Sequence, residues 1–247
     1  MFTIHPQIAD SGLTDPRFIH PNAKLPASYV TLCQQTNGGF LQRFRLPTSE
    51  PTSDGLDHVE CHYIAGLATE HQSVIDCSDF PAYLIPFSQH QTQYFAFDYQ
   101  QNPTNPSIRY IDTEVDQWLT VADSFEIFLA QLGTKAIDLS GIDEFPLTPL
   151  QRNHYLLVAQ PSELTTLLEH YESDSPKDWF LSWLQFFVQH GTLAQQKCAL
   201  AAFNTQQLYF RRQLPPTLAT DLQHAFKQLP ALATLYDQYA AKWSFTY

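Results

Sequence analysis

With 247 residues and a formal net charge of −12, the chain is long enough to bury a substantial core, as one large domain or two, and carries the wrong sign for a phosphate-tracking surface. Direct nucleic-acid binding is therefore not expected. An apolar content of 44%, with 18 Phe, 12 Tyr and 4 Trp, indicates a globular chain and excludes a disordered one.

No run of 18 apolar residues occurs, and Met1–Pro6 has neither a basic nor an apolar leader character. Cys33, Cys61, Cys77 and Cys198 are widely spaced. The expectation is a cytoplasmic protein with no membrane partner and reduced, mostly buried thiols.

Residues 1–24 contain Pro6, Pro16 and Pro21 without a sustained period and are expected to lead into or wrap over the core. The pattern then sharpens. Pro26 suits a helix start, and Leu25, Tyr29, Leu32 and Cys33 share one helical face. Asn37-Gly38-Gly39 supplies positive-φ positions that stop the helix and send Phe40–Phe44 into a strand. Residues 47–55 read as a loop before a strand over His58–Ile64. Strands are also predicted at Tyr83–Phe87, Thr92–Phe97 and Ser107–Ile111; the Asn102-Pro103 and Asn105-Pro106 turn between the last two favours an antiparallel meander. Asp123 and Glu126 stand at capping-box spacing before a helix carrying Phe125, Phe128, Leu129 and Leu132.

The remainder reads as helical. Ser162 is a candidate cap, Pro176 precedes a helix bearing Phe180, Trp183, Leu184 and Phe187, and Thr192 caps a segment through Leu208. Leu218, Leu222, Phe226 and Leu229 mark another helix, and Leu232 to Trp243 a terminal one. Charge divides the chain in the same place. Residues 1–132 hold 15 acidic against 5 basic residues, net −10, whereas 133–247 hold 10 against 8, net −2. The expected organisation is an α+β domain over 1–137, a linker over 138–149 and an all-helical C-terminal extension over 150–247.

Several segments resemble the SMI1/KNR4, or SUKH, superfamily: Leu25-Pro26, Asn37-Gly38-Gly39, Tyr83–Phe87, Tyr94–Asp98, Ile108–Ile111 and Ser124–Leu129, in that order over roughly residues 13–132. The resemblance implies a curved antiparallel sheet flanked by helices and protein binding without catalysis. Many bacterial members are immunity proteins that bind and block toxins, often nucleases; fungal relatives are linked to cell-wall and signalling regulation. The helical extension departs from a minimal member. The resemblance supplies no catalytic residue.

A basic toxin domain would be met by carboxylates at strand ends with aromatic rings beside them. The candidates are Asp57, Glu60, Tyr94, Asp98, Tyr110, Asp112 and Glu114. Period two sets Tyr94 on the face opposite Phe95 and Phe97. Acidic loop residues equally serve solubility, and alternating aromatics equally fill cores.

His58, Glu60 and His62 would share one face of a continuous strand, but i, i+2 side chains must bend to reach one ion, and no metal or cofactor is expected. G-x-S-x-G, H-E-x-x-H, Walker A and Rossmann glycine patterns do not occur, so a non-enzyme is the expectation. The alternatives are an intracellular regulatory adaptor, or a homo-oligomer in which Trp179, Trp183 and Phe187 bury against a second copy.

Overall fold

A computed structural model describes residues 4–5, 17–20, 23–69, 72–133, 137, 139, 142–144 and 146–243. The expected leading segment 1–24 lies largely, and the expected linker 138–149 partly, outside the described residues. Among these residues the chain separates into two compact units: the first holds all the strands, two helices and Thr148–His154, and the second holds the described residues of 136–147 and the chain from Tyr155 to the last helix.

In the first unit, short strands β1 (Ile4–His5) and β2 (Phe18–Ile19) precede helix α1 (Ala27–Gln35). Pro26 is the N-cap, and Tyr29 and Cys33 form the buried face. Gly38 and Gly39, with φ of 81° and 149°, turn the chain into β3 (Gly39–Leu41). Strands β4 (Arg45–Pro47), β5 (His58–Glu60), β6 (Tyr63–Ile64) and β7 (Gly66–Leu67) follow. A single strand over His58–Ile64 is therefore corrected to two. β5 pairs with β4 and β6 with β3, and Cys61–His62 makes the change of partner.

The principal sheet is the expected meander, in the order β11-β10-β9-β8, from β8 (Leu84–His90), β9 (Gln93–Asp98), β10 (Ser107–Asp112) and β11 (Gln117–Ala122), the last not foreseen from sequence. Pro86, which lacks an N–H, sits on edge strand β8 beside a bulge. Within that bulge the Phe87 carbonyl accepts from Ala65 N at 2.8 Å.

One sheet face presents Phe87, Phe95 and Phe97 to Tyr29 of α1 and to Phe125 and Phe128 of α2 (Phe125–Gln131), with ring centroids 4.6–6.4 Å apart. Each such ring contributes about 1.5–3 kcal/mol by leaving water. Ser124 caps α2 through Ile127 N, in place of the expected Asp123. On the other face Leu84, Ala96 and Ile111 are covered by Phe80, Tyr83 and Tyr94.

Helix α3 (Pro149–Val158) begins on Pro149, the last residue of the expected linker, and its remaining residues open the expected helical extension; the boundary between the units falls within it, after His154. The second unit continues with α4 (Pro161–Tyr171), α5 (Lys177–His190), α6 (Leu193–Tyr209), α7 (Pro216–Lys227) and α8 (Ala233–Trp243). Gln160 and Glu163 form the capping box of α4, so the expected Ser162 cap is corrected; Thr192 and Gln195 form that of α6, as expected. α6 packs against α4, α5 and α8. Trp179, Trp183 and Phe187 are buried inside this unit and so offer no open face to a second copy.

Candidate protein-binding site

The seven residues singled out for partner contact do not form one rim. β9 and β10 are antiparallel, so Asp98, opposite Ser107, and Asp112, opposite Gln93, lie at opposite ends of the sheet. Asp98 is 3% exposed: its Oδ2 accepts from Arg109 Nη2 at 2.6 Å and Nε at 2.7 Å, and its Oδ1 accepts from Gln100 N at 2.9 Å. Asp112 is also buried and accepts from Glu114 N at 3.0 Å, Thr92 Oγ1 at 3.3 Å and Gln93 Nε2 at 3.3 Å. Both carboxylates build turns by bonding the N–H two residues on. They are corrected from open contact groups to buried structural ones.

Tyr110 is corrected likewise. Its ring is buried edge-on to Phe95 at 5.4 Å, and burial, reinforced by Asp112 and Asp54, pushes its phenol upward from the ordinary value. Tyr94 lies on the opposite face, as alternation requires, but is half-buried. Phe80 meets it edge-to-face at 4.9 Å, and its hydroxyl accepts from Gln89 Nε2 at 2.9 Å. Asp57 and Glu114 are exposed; the Asp57 carboxylate meets His58 Nδ1 at 2.8 Å.

Glu60 and Tyr110 do come together. The loop after β4 folds onto the β10–β11 end of the sheet, where Ser53 N donates to Gln117 Oε1 at 3.0 Å and Gln117 Nε2 to Pro51 O at 3.0 Å. Between this loop and the sheet lies a half-open pocket of about 160 Å³. Glu60, Tyr110, Asp54, His58, His62 and His90 contribute to its lining. Arg45 Nε donates to Glu60 Oε1 at 2.7 Å and fixes that carboxylate at the pocket wall.

His62, His90 and His154 cluster behind the pocket, a grouping that sequence reading missed because 92 residues separate His62 from His154. His58 is only partly buried, whereas His62 falls in the interruption between β5 and β6 and is buried. Its Nδ1 lies 2.9 Å from His154 Nδ1, and its Nε2 lies 3.5 Å from Glu60 Oε2. His154 Nε2 donates to Leu41 O at 2.7 Å, and His90 Nε2 meets Thr148 Oγ1 at 2.9 Å. Burial, then the neighbouring His154, His90 and Arg45, hold His62 well below the usual imidazole range; burial lowers His90 too. Among the described residues no group of three or more His, Cys, Asp or Glu is arranged to hold a metal ion. Cys61, fully buried, has its thiol pushed up to about 12, which leaves it a poor nucleophile. Cys77, by contrast, is exposed.

No helix among the described residues is long and apolar enough to cross a membrane. Neither the curated proteins nor the solved structures gave a significant match. The family described as SMI1-KNR4 cell-wall matches residues 21–129, a span that takes in α1, strands β3 to β11 and most of α2. The α+β unit of this chain therefore belongs to the SMI1-KNR4 (SUKH) family.

Proposed function

We propose that the chain is a non-catalytic binding protein of the immunity type, which holds a basic toxin domain, a nuclease being the favoured class, and blocks it. The observation that carries this reading is the pocket between the β4–β5 loop and the sheet. Glu60 and Asp54 line it, and the chain around it, residues 1–132, has a net charge of −10. A cavity of about 150 Å³ accommodates benzene, with six heavy atoms. About 160 Å³ thus suits the outer atoms of one arginine or lysine side chain, whose N–H groups would donate to the carboxylates. Exposed Asp54, Asp57 and Glu114 would speed encounter, while the seated side chain would slow departure.

The test is purification of the native complex, followed by assay of the partner's activity with and without this chain. A basic toxin domain in one-to-one complex, inhibited on binding, is the expected result. Charge reversal at Asp54, Asp57 and Glu114 should then slow association and flatten its salt dependence. A stoichiometric partner without a basic surface, or one whose activity is untouched, would contradict the proposal. The family's cell-wall description supports a second reading, a regulatory adaptor, for which the partner would be a signalling or envelope-assembly protein.

A further inference from the structure

The pair His62 and His154 is joined Nδ1 to Nδ1 at 2.9 Å, which fits an N–H···N hydrogen bond. Two nitrogens on one tetrahedral zinc would stand about 3.3 Å apart, given Zn–N bonds of about 2.0–2.1 Å. A proton, and only one, fits between them. Which ring carries it follows from the far nitrogens. His154 Nε2 faces the Leu41 carbonyl, an obligate acceptor, so that nitrogen bears the hydrogen. The neutral His154 then accepts at Nδ1, and His62 donates from Nδ1.

We infer that this pair is an acid-sensitive latch that fastens Thr148–His154, a segment of the first unit outside the family-matched stretch 21–129, to the strands of that same unit. The contacts that set the latch are specific to the segment. His154 lies flat against Phe40 (5.7 Å, 11°) and edge-on to Phe44 (4.5 Å), and Phe44 also stacks on His62 (5.9 Å). His90 makes a second attachment through Thr148.

A first proton added to the pair is tolerated, because His62 then donates from both nitrogens, to His154 and towards Glu60. A second proton places two N–H groups face to face, and the bond is lost. Charged and titratable groups surround the pair on every side. They are Arg45 from β4, Glu60 from β5, His90 from β8, and His58, Asp54 and Tyr110 around the pocket; Arg152 lies on the same helix as His154. Glu60 faces His62 Nε2 at 3.5 Å, while burial, then the neighbouring His154, His90 and Arg45, oppose protonation of His62. The latch therefore stays closed at neutral pH and opens on acidification, as the freed imidazoles take up protons.

The test uses the full chain. Hydrogen exchange over Thr148–His154, corrected for the intrinsic pH dependence of exchange, is compared between pH 7.5 and 5 with exchange in β9 and β10. Protection of the segment should fall at least tenfold per pH unit below about 6.5, while the strands keep theirs. His62→Phe should flatten that dependence. Because this variant could misfold, nitrogen-15 spectra of the wild-type imidazoles give a second reading: at pH 7.5, His62 should carry its proton on Nδ1 and His154 on Nε2. Protection that is constant with pH, or lost in step with β9 and β10, would overturn the inference. So would the same tautomer on both rings, or a stoichiometric metal retained by the pair.

Discussion

Asp98→Ala separates a structural carboxylate from a partner-binding one. Removing one member of a buried ion pair costs about 3–5 kcal/mol, because the other charge is left behind. Arg109 is 23% exposed and rehydrates in part, which lowers this to about 2–3 kcal/mol. Loss of the acceptor for Gln100 N adds about 1 kcal/mol. The expected total is about 3–4 kcal/mol, or roughly 6–16 °C in melting temperature for a chain of this size. Urea unfolding followed by circular dichroism measures it, with hydrogen exchange in β9 and β10 assigning the transition to the first unit. Asp98→Asn retains an oxygen for Gln100 N and should cost about 1 kcal/mol less. A midpoint for Asp98→Ala within about 0.5 kcal/mol of the parent would refute the buried-pair argument and return Asp98 to the contact candidates.

Gly38→Ala should destabilise by about 2–4 kcal/mol. A Cβ there meets Gly66 N at 2.5 Å and Ile64 O at 2.8 Å, both backbone atoms, at a φ of +81° that already costs an L-residue about 1–2 kcal/mol; an unchanged urea midpoint would contradict it. Stability should also fall on acidification. His62 and His90 are depressed in the folded state, so below the unfolded value of about 6.5 the unfolded chain binds more protons, and each histidine contributes a loss of about 1.4 kcal/mol per pH unit until its folded value is reached. Were His62 instead charged against Glu60, stability would rise as the pH fell through this window, so the sign of the slope in urea melts between pH 7.5 and 5 decides between the two.

Local geometry was the legible part of this fold. Pro26, the Tyr29 and Cys33 spacing and the Asn37–Gly39 turn placed α1 and its exit, because each acts through backbone dihedrals or one helical face. The meander from β8 to β10 was readable for the same reason. The site was less so. Continuous alternation over His58–Ile64 concealed a change of partner strand at Cys61–His62, which no local signal encodes, and Pro149 resembled linker although it begins α3. Asp98 and Asp112 could have been recognised: an aspartate ending a strand and followed by a turn commonly bonds the N–H two residues on, and both do. The His62–His154 pair depends on a contact across 92 residues and could not have been.

The pocket as docking site is tested most directly by a hydrogen-exchange footprint of the purified native complex. Added protection should centre on Thr52–Glu60 and on the Gln93 and Tyr110 ends of β9 and β10, and should shrink in a complex made with Asp54→Lys. Protection confined to α4–α8, with Thr52–Glu60 exchanging as in the unbound chain, would contradict the account.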